Sequence, residues 1–220
     1  MRKTIVLLVL MAMLAACDDG VQKAYWENGK LKSELRYKND KLNGECVWYY
    51  QNGNKMSQGN YIDDVLEGSF MRWHPNGKIA EEGWYKHGLR DSIGHTYSEK
   101  GLLASEEYYR DGELDGEIKK WFDNGQLFQE GQYIDGLMDG AWYIYYPSGA
   151  LAGKADYNMG TGKQIGYAES GYKCLEVQYV NNKKHGKGIH YNPDGSVLKI
   201  VEYEGGKVVF EDNNPQNSDD

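Results

Sequence analysis

The stretch Trp121-Phe122-Asp123-Asn124-Gly125-Gln126-Leu127, continued by Tyr133-Ile134-Asp135-Gly136-Leu137-Met138-Asp139-Gly140, decides the fold. An aromatic stands four residues before a glycine, and a tyrosine eight residues after it. The same pattern recurs at Gly29, Gly53, Gly77, Gly101, Gly125, Gly149, Gly171 and Gly195, spaced 24, 24, 24, 24, 24, 22 and 24 residues apart. Four residues before each come Tyr25, Tyr49, Trp73, Tyr97, Trp121, Tyr145, Tyr167 and Tyr191. Eight residues after each come Tyr37, Tyr61, Tyr85, Tyr109, Tyr133, Tyr157, Tyr179 and Tyr203. A fixed period of this length marks a repeat architecture, in which each unit buries its apolar side only against its neighbours.

The residues around each reference glycine specify a turn. Asn28, Asn52, Asn76, Lys100, Asn124, Ser148, Ser170 and Asp194 precede it, and Pro75, Pro147 and Pro193 lie two residues before it. Pro-Asn-Gly, Pro-Ser-Gly and Pro-Asp-Gly fit a type I turn ending in a left-handed glycine, the three-residue hairpin loop with a bulge. A two-residue loop would place each proline at a paired strand position, which lacks the required N–H. In the three-residue register Tyr25 faces Leu31, Trp73 faces Ile79, Trp121 faces Leu127 and Tyr145 faces Leu151. Strict alternation then puts the aromatic row and the tyrosine row on one face, with Gly59, Gly83, Gly131 and Ala155 making room for the rings. The opposite face is expected to hold Trp26, Tyr50, His74, Ser98, Phe122, Tyr146, Ala168 and Asn192, together with Trp48, Phe70, Trp84, Tyr108 and Trp142.

A second turn follows each tyrosine. Asp40, Asp64, Gly88, Gly112, Gly136, Gly160, Asn182 and Gly206 all belong to types that tolerate the left-handed region. A further glycine (Gly44, Gly68, Gly116, Gly140, Gly162, Gly186), replaced by Ser92 in one repeat, is read as closing these turns. The 22-residue step puts a two-residue deletion between Tyr157 and Gly162 and predicts a shortened turn there. Each repeat is thus two strands and two turns. The predicted fold is all-β: an elongated, single-layer antiparallel meander of eight ~24-residue hairpin repeats, about sixteen strands, spanning residues 23–210. Glycine, 28 of 220 residues, and 13% aromatics suit such a chain. At about 4.8 Å per strand, Cys46 and Cys174 fall far beyond disulfide reach and are expected as free thiols.

The first residues carry an address. Arg2 and Lys3 precede an uncharged apolar run, Thr4 to Leu14, which is too short to span a bilayer and reads as a secretory leader. Leu14-Ala15-Ala16-Cys17 resembles the lipobox of bacterial lipoproteins. That resemblance implies cleavage after residue 16 and acylation of Cys17. The expected organisation is a signal helix over 1–16, a lipidated linker over 17–22, the repeats, and a disordered acidic tail over 211–220. The resemblance places the protein in the bacterial cell envelope, tethered to the membrane through N-terminal acyl chains. It leaves inner membrane, outer membrane and cell surface open.

The net charge of −8, near −10 without the leader, argues against nucleic acid as a partner. His74, His87, His95, His185 and His190 show no zinc-binding spacing, and no Cys-x-x-Cys occurs. Gly160-Thr161-Gly162-Lys163 lacks the spacing of a phosphate-binding loop. Adjacent acid pairs such as Asp63-Asp64, Glu81-Glu82 and Glu106-Glu107 point to opposite strand faces and are not placed to flank one bond. No catalytic activity and no cofactor is therefore expected. The aromatic run Trp142, Tyr143, Tyr145 and Tyr146 is the candidate binding patch, since exposed rings mark contact sites.

Tyr-Tyr-Gln-Asn-Gly (49–53), Trp-Phe-Asp-Asn-Gly-Gln-Leu (121–127) and Tyr-Ile-Asp-Gly-Leu-Met-Asp-Gly (133–140) resemble the MORN repeat variant over residues 21–210. This is a hairpin module of bacterial lipoproteins and of YwqK-type antitoxin-like proteins. The resemblance implies a β-ribbon that contacts proteins or membranes and brings no catalytic residues. The expected function is an envelope lipoprotein whose ribbon is a protein-interaction scaffold. The alternative is an antitoxin-like protein neutralising a partner toxin, and a glycan-binding module is less favoured.

Overall fold

The structure, a computed structural model, describes residues 20–213 and 215. The expected leader, Cys17 and the last residues of the expected tail lie outside the described residues. Among the described residues there is no α-helix; the chain forms β1 (Gly20–Tyr25), β2 (Leu31–Lys38), β3 (Lys41–Leu42), β4 (Gly44–Tyr49), β5 (Lys55–Ile62), β6 (Val65–Trp73), β7 (Ile79–Lys86), β8 (Leu89–Tyr97), β9 (Leu103–Arg110), β10 (Glu113–Trp121), β11 (Leu127–Ile134), β12 (Leu137–Tyr145), β13 (Leu151–Asn158), β14 (Thr161–Tyr167), β15 (Lys173–Val180), β16 (Lys183–Tyr191), β17 (Val197–Glu204) and β18 (Lys207–Asp212). Successive strands pair antiparallel, with β3 and β4 both pairing with β2, giving one open meander. The count exceeds sixteen because β3 and β4 are two segments of one strand and β18 begins beyond the eighth hairpin. The expected linker and tail boundaries also shift: Gly20–Gln22 belong to β1, and Glu211 and Asp212 belong to β18.

The hairpin loops fold as their sequence demands. In each, the glycine N–H donates to the carbonyl three residues back (Gly77 to His74, Gly125 to Phe122, Gly149 to Tyr146), closing the type I turn. The glycines sit at positive φ, 81° at Gly125, as the bulge position requires. The flanking pairs are the expected ones, Tyr25 with Leu31, Trp73 with Ile79, Trp121 with Leu127 and Tyr145 with Leu151. The inter-hairpin turns have two central residues, both at positive φ, such as Asp111 (48°) with Gly112 and Asp135 (47°) with Gly136. These are type I′ turns, whose twist matches the strands they join.

One expectation is overturned. Immediately after each loop pair the register slips by one residue: Trp121 pairs with Leu127, but Lys120 pairs with Gln129, so Phe128 is extra. The same slip recurs in all eight hairpins and skips Lys32, Met56, Ala80, Ala104, Phe128, Ala152, Cys174 and Leu198. One extra residue inverts the alternation. The aromatic row (Tyr25 to Tyr191) and the tyrosine row (Tyr37 to Tyr203) therefore lie on opposite faces, not on one. Trp48, Phe70 and Trp142 share the tyrosine face, whereas Trp84 and Tyr108 share the other.

The tyrosine face is the core face. Cys46, Ile118, Trp142, Tyr157, Val177 and Val201 are buried there. Rings meet edge to face along it: Tyr133 with Trp142 at 5.1 Å, Trp142 with Tyr157 at 6.3 Å and Tyr157 with Tyr179 at 5.6 Å. Gly131 lies under the Trp142 indole, which would come within 2.3 Å of any Cβ placed there. In the third and fourth repeats this apolar packing gives way to ions. Glu81, 6% exposed, is held by Arg72 at 2.8 Å and by Arg90, whose guanidinium lies over the Tyr109 ring at 5.0 Å.

A second irregularity follows most of the inter-hairpin turns. Between the pairs Tyr109–Leu114 and Glu107–Ile118, three residues, Asp115 to Glu117, oppose Tyr108 alone. The further glycine does not close the turn, as the sequence implied; it sits in this strand bulge, with φ 127° at Gly116 and 65° at Gly140. Ser92 adopts the same region at 69°. The two-residue deletion removes this bulge and leaves the turn intact: Asn158 pairs with Thr161, and Tyr157 pairs directly with Gly162. Both thiols, Cys46 buried and Cys174 half-buried, are free.

Trp142→Ala is expected to cost about 3–5 kcal/mol in denaturant unfolding, and Trp121→Ala, half-exposed on the other face, clearly less. Equal losses would contradict the assignment of faces. Ser92→Gly is expected to raise stability by about 1 kcal/mol, because it relieves a left-handed non-glycine residue; an unchanged midpoint would deny that strain.

Candidate functional site

The face opposite the core, here called the open face, carries the aromatic row from Tyr25 to Tyr191. Next to it runs a mostly acidic row five residues after each loop glycine: Glu34, Gln58, Glu82, Glu106, Glu130, Lys154, Glu176 and Ile200. The two rows interlock. Tyr97 Oη donates to Glu82 at 2.6 Å and Tyr145 Oη to Glu130 at 2.9 Å. Partial burial, reinforced by these carboxylates, pushes both phenols up to about 12. Other rings of the row are capped by lysines of the preceding repeat, Lys55 over Trp73 at 5.3 Å, Lys154 over Tyr167 at 5.9 Å and Lys173 over Tyr191 at 4.0 Å.

Side chains at the loop edge step to the next repeat instead of forming a patch. Trp26 Nε1 donates to the Tyr49 carbonyl at 3.1 Å, and Tyr50 Oη to the Trp73 carbonyl at 2.8 Å. Tyr146 Oη does the same to the Tyr167 carbonyl at 2.9 Å. Asn28, Asn52, Asn76 and Asn124 each donate to a carbonyl of the following loop. The asparagines before the glycines are thus rungs between repeats as well as turn formers.

The structure therefore divides the patch expected at Trp142, Tyr143, Tyr145 and Tyr146. Trp142 is 3% exposed on the core face, and its indole N–H is buried without a hydrogen-bond partner. Tyr146 belongs to the loop-edge ladder. Tyr143, 39% exposed, and Tyr145 stand on the open face, where Tyr143 rises between two shallow grooves of about 400 and 390 Å³. The glutamates of each adjacent acid pair do point apart: Glu81 enters the core face, while Glu82 faces His95 at 3.5 Å. His95 also reaches Glu106, 3.4 Å from its Nε2. Alternation through the bulge brings Glu82, His95 and Glu106 into one row, a grouping the regular register hid. Among the described residues no group of three or more His, Cys, Asp or Glu side chains is arranged to hold a metal ion, and no helix is long and apolar enough to cross a membrane.

A one-layer meander with a 24-residue period, type I loops and type I′ connections defines a β-hairpin repeat protein. The MORN repeat variant matches residues 18–39, 42–63, 66–87, 114–135 and 138–159, and the MORN repeat matches 178–197. The chain belongs to the MORN repeat family. No curated protein matches it. Among solved structures, that of TcdB2-TccC3-Cdc42 is similar at 14% identity and a TM-score of 0.21, covering 88% of this chain and 13% of that one. TcdB2-TccC3 without its hypervariable C-terminal region is similar at 12% identity and a TM-score of 0.22, covering 86% of this chain and 14% of that one. The chain spans only a small part of these much larger proteins.

The raised phenols give alkaline stability a definite sign. Tyr97 and Tyr145 hold their protons more tightly folded, at about 12, than at the ordinary 10. Their contribution is complete below pH 10 and is lost as pH climbs through about 12. Denaturant unfolding across that window is expected to show a steeper loss for the wild type than for Tyr97→Phe/Tyr145→Phe; parallel curves would remove these phenols as the cause.

Proposed function

We propose that the protein is a lipid-anchored scaffold of the bacterial cell envelope, tethered through Cys17, whose repeat sheet presents its open face to a protein partner. Solvent-facing rings on that face carry this reading: Trp84 is 51% exposed, Tyr143 39% and Tyr108 38%. The strands that bear them are hydrogen-bonded on both sides, so the backbone that presents the rings needs no ordering on binding. Tryptophan and tyrosine are enriched among the residues that dominate binding energy at protein interfaces. The leader and the sequence Leu14-Ala15-Ala16-Cys17 support the anchor. Acyl chains there would give stable membrane attachment where a single chain is marginal.

Two measurements test the two halves of this proposal. Cys17→Ser is expected to abolish fatty-acid labelling and to move the protein out of the membrane fraction; retention in membranes without labelling would refute the anchor. Affinity capture from envelope extracts is expected to retain a protein on the wild type that a Trp84→Ser/Tyr108→Ser/Tyr143→Ser variant of unchanged melting temperature loses. Identical capture by both would refute the open face as the docking surface.

A further inference from the structure

The residue seven positions after each loop glycine lies on the open face: Arg36, Asn60, Trp84, Tyr108, Gln132, Asp156, Gln178 and Glu202. Six of the eight are polar. The two exceptions are large aromatics, they fall in neighbouring repeats, and both are exposed, Trp84 at 51% and Tyr108 at 38%. Folding does not require them, because the same site elsewhere takes glutamine or asparagine. The segments matched by the family leave out residues 88–113, which contribute Tyr108 and its surroundings. Ile93 pairs directly with Tyr108, and Trp84 pairs with Asp91, so the two rings and the isoleucine occupy three consecutive strands, β7 to β9.

Beside this apolar row runs the acidic one. Glu82, His95 and Glu106 are register partners on the same three strands. A groove of about 370 Å³ lies between, lined by Met71, Glu82, Trp84, Ile93 and His95. On the flank, Lys119 is engaged by Glu117 at 3.5 Å and Arg110 by Asp115 at 2.7 Å. Three other rings of the open face, Trp73, Tyr167 and Tyr191, are capped by the chain's own lysines. Among the described residues no cation lies over Trp84 or Tyr108.

We propose that Trp84, Ile93, Tyr108, Glu82 and Glu106 form the docking site for a Lys- or Arg-bearing segment of the partner protein, whose cationic side chains lie over the two rings and against the two carboxylates. This rests on the scaffold reading and names the chemistry of its partner. Uncapped aromatic faces attract desolvated cations through the ring quadrupole. The adjacent carboxylates supply the complementary charge that steers and orients such a segment. Neutral or acidic segments gain nothing from the acid row.

Isothermal titration of the detergent-solubilised full-length protein with end-capped octa-arginine tests the assignment, with octaglutamate and chitotetraose as comparators. Binding of octa-arginine alone is expected, weakening as salt rises. Trp84→Gln/Tyr108→Gln adopts the residue that the same site carries at Gln132 and Gln178 and so keeps the fold; it is expected to weaken binding at least tenfold. Glu82→Gln/Glu106→Gln is expected to weaken it similarly and to flatten the salt dependence, while Gln132→Ala/Gln178→Ala leaves it unchanged. Absent binding, binding indifferent to both double variants, or chitotetraose binding that requires the rings would overturn the proposal. Should octa-arginine fail while Trp84→Gln/Tyr108→Gln still loses the captured envelope partner, the cationic chemistry is wrong and the scaffold reading stands.

Discussion

A single-layer sheet has no second layer to bury itself against, so each repeat of this chain must cover one face with its own side chains. The tyrosine eight residues after the loop glycine does most of this covering. Its ring lies over small residues of the neighbouring strands and meets the next large side chain edge to face, as in the run from Tyr133 through Trp142 and Tyr157 to Tyr179. That is why the tyrosine is present in every repeat, while its partners vary between Cys46, Phe70, Ile118 and Trp142. An isolated hairpin is marginal. Contacts between neighbouring repeats, on the core face and along both edges, stabilise the array. At the loop edge the asparagine rungs join successive loops. At the turn edge, glycine N–H groups such as Gly88 and Gly112 donate to the carbonyls of Leu66 and Arg90 in the preceding repeat.

Much of this architecture was legible in the sequence, and the reason is chemical. Proline two residues before a glycine leaves one economical loop, and the loop fixes the pairs beside it. The left-handed turn positions were equally plain, because only glycine, asparagine and aspartate occupy them readily. The assignment of faces was not legible. It depends on one extra residue after each loop, occupied by side chains as different as Lys32, Ala80, Phe128 and Cys174. That residue stays at negative φ and so needs no glycine; with neither a backbone nor a side-chain signature, it leaves no mark on the sequence. The patch drawn at Trp142 to Tyr146 is divided for the same reason, because an alternation inverted once per hairpin sends Trp142 into the core and leaves Tyr143 on the open face. One clue was available. The site holding Trp84 and Tyr108 is polar in the other six repeats, which marks it as solvent-facing whatever the register.

The ionic cluster under that site belongs to the same pair of repeats. Where the core face elsewhere carries Leu66, Leu114 or Met138, it here carries Arg90, which neutralises Glu81 and stacks on Tyr109. Replacing Arg90 alone would leave the buried Glu81 carboxylate to Arg72, whose side chain is mostly in solvent. The third and fourth repeats thus depart from the common pattern on both faces at once, with ions inward and rings outward.

The shortened repeat shows how strictly the two faces are kept apart. Removing one residue from a strand would exchange core and open faces in everything beyond it. The chain instead loses two, and loses them where the strand bulge would otherwise stand, so that Asp156 pairs with Lys163 and Ala155 with Gln164 without a break and alternation continues in phase. Closing the bulge also draws the following turn across the gap. Asn182 then bonds to Gly136 and to Met138, both at 2.8 Å and both two repeats away. The bulge after the turn is therefore dispensable, because it adds an even number of residues opposite the partner strand. The odd residue after each loop is not: its loss from a single hairpin would turn every later tyrosine to the wrong side of the sheet.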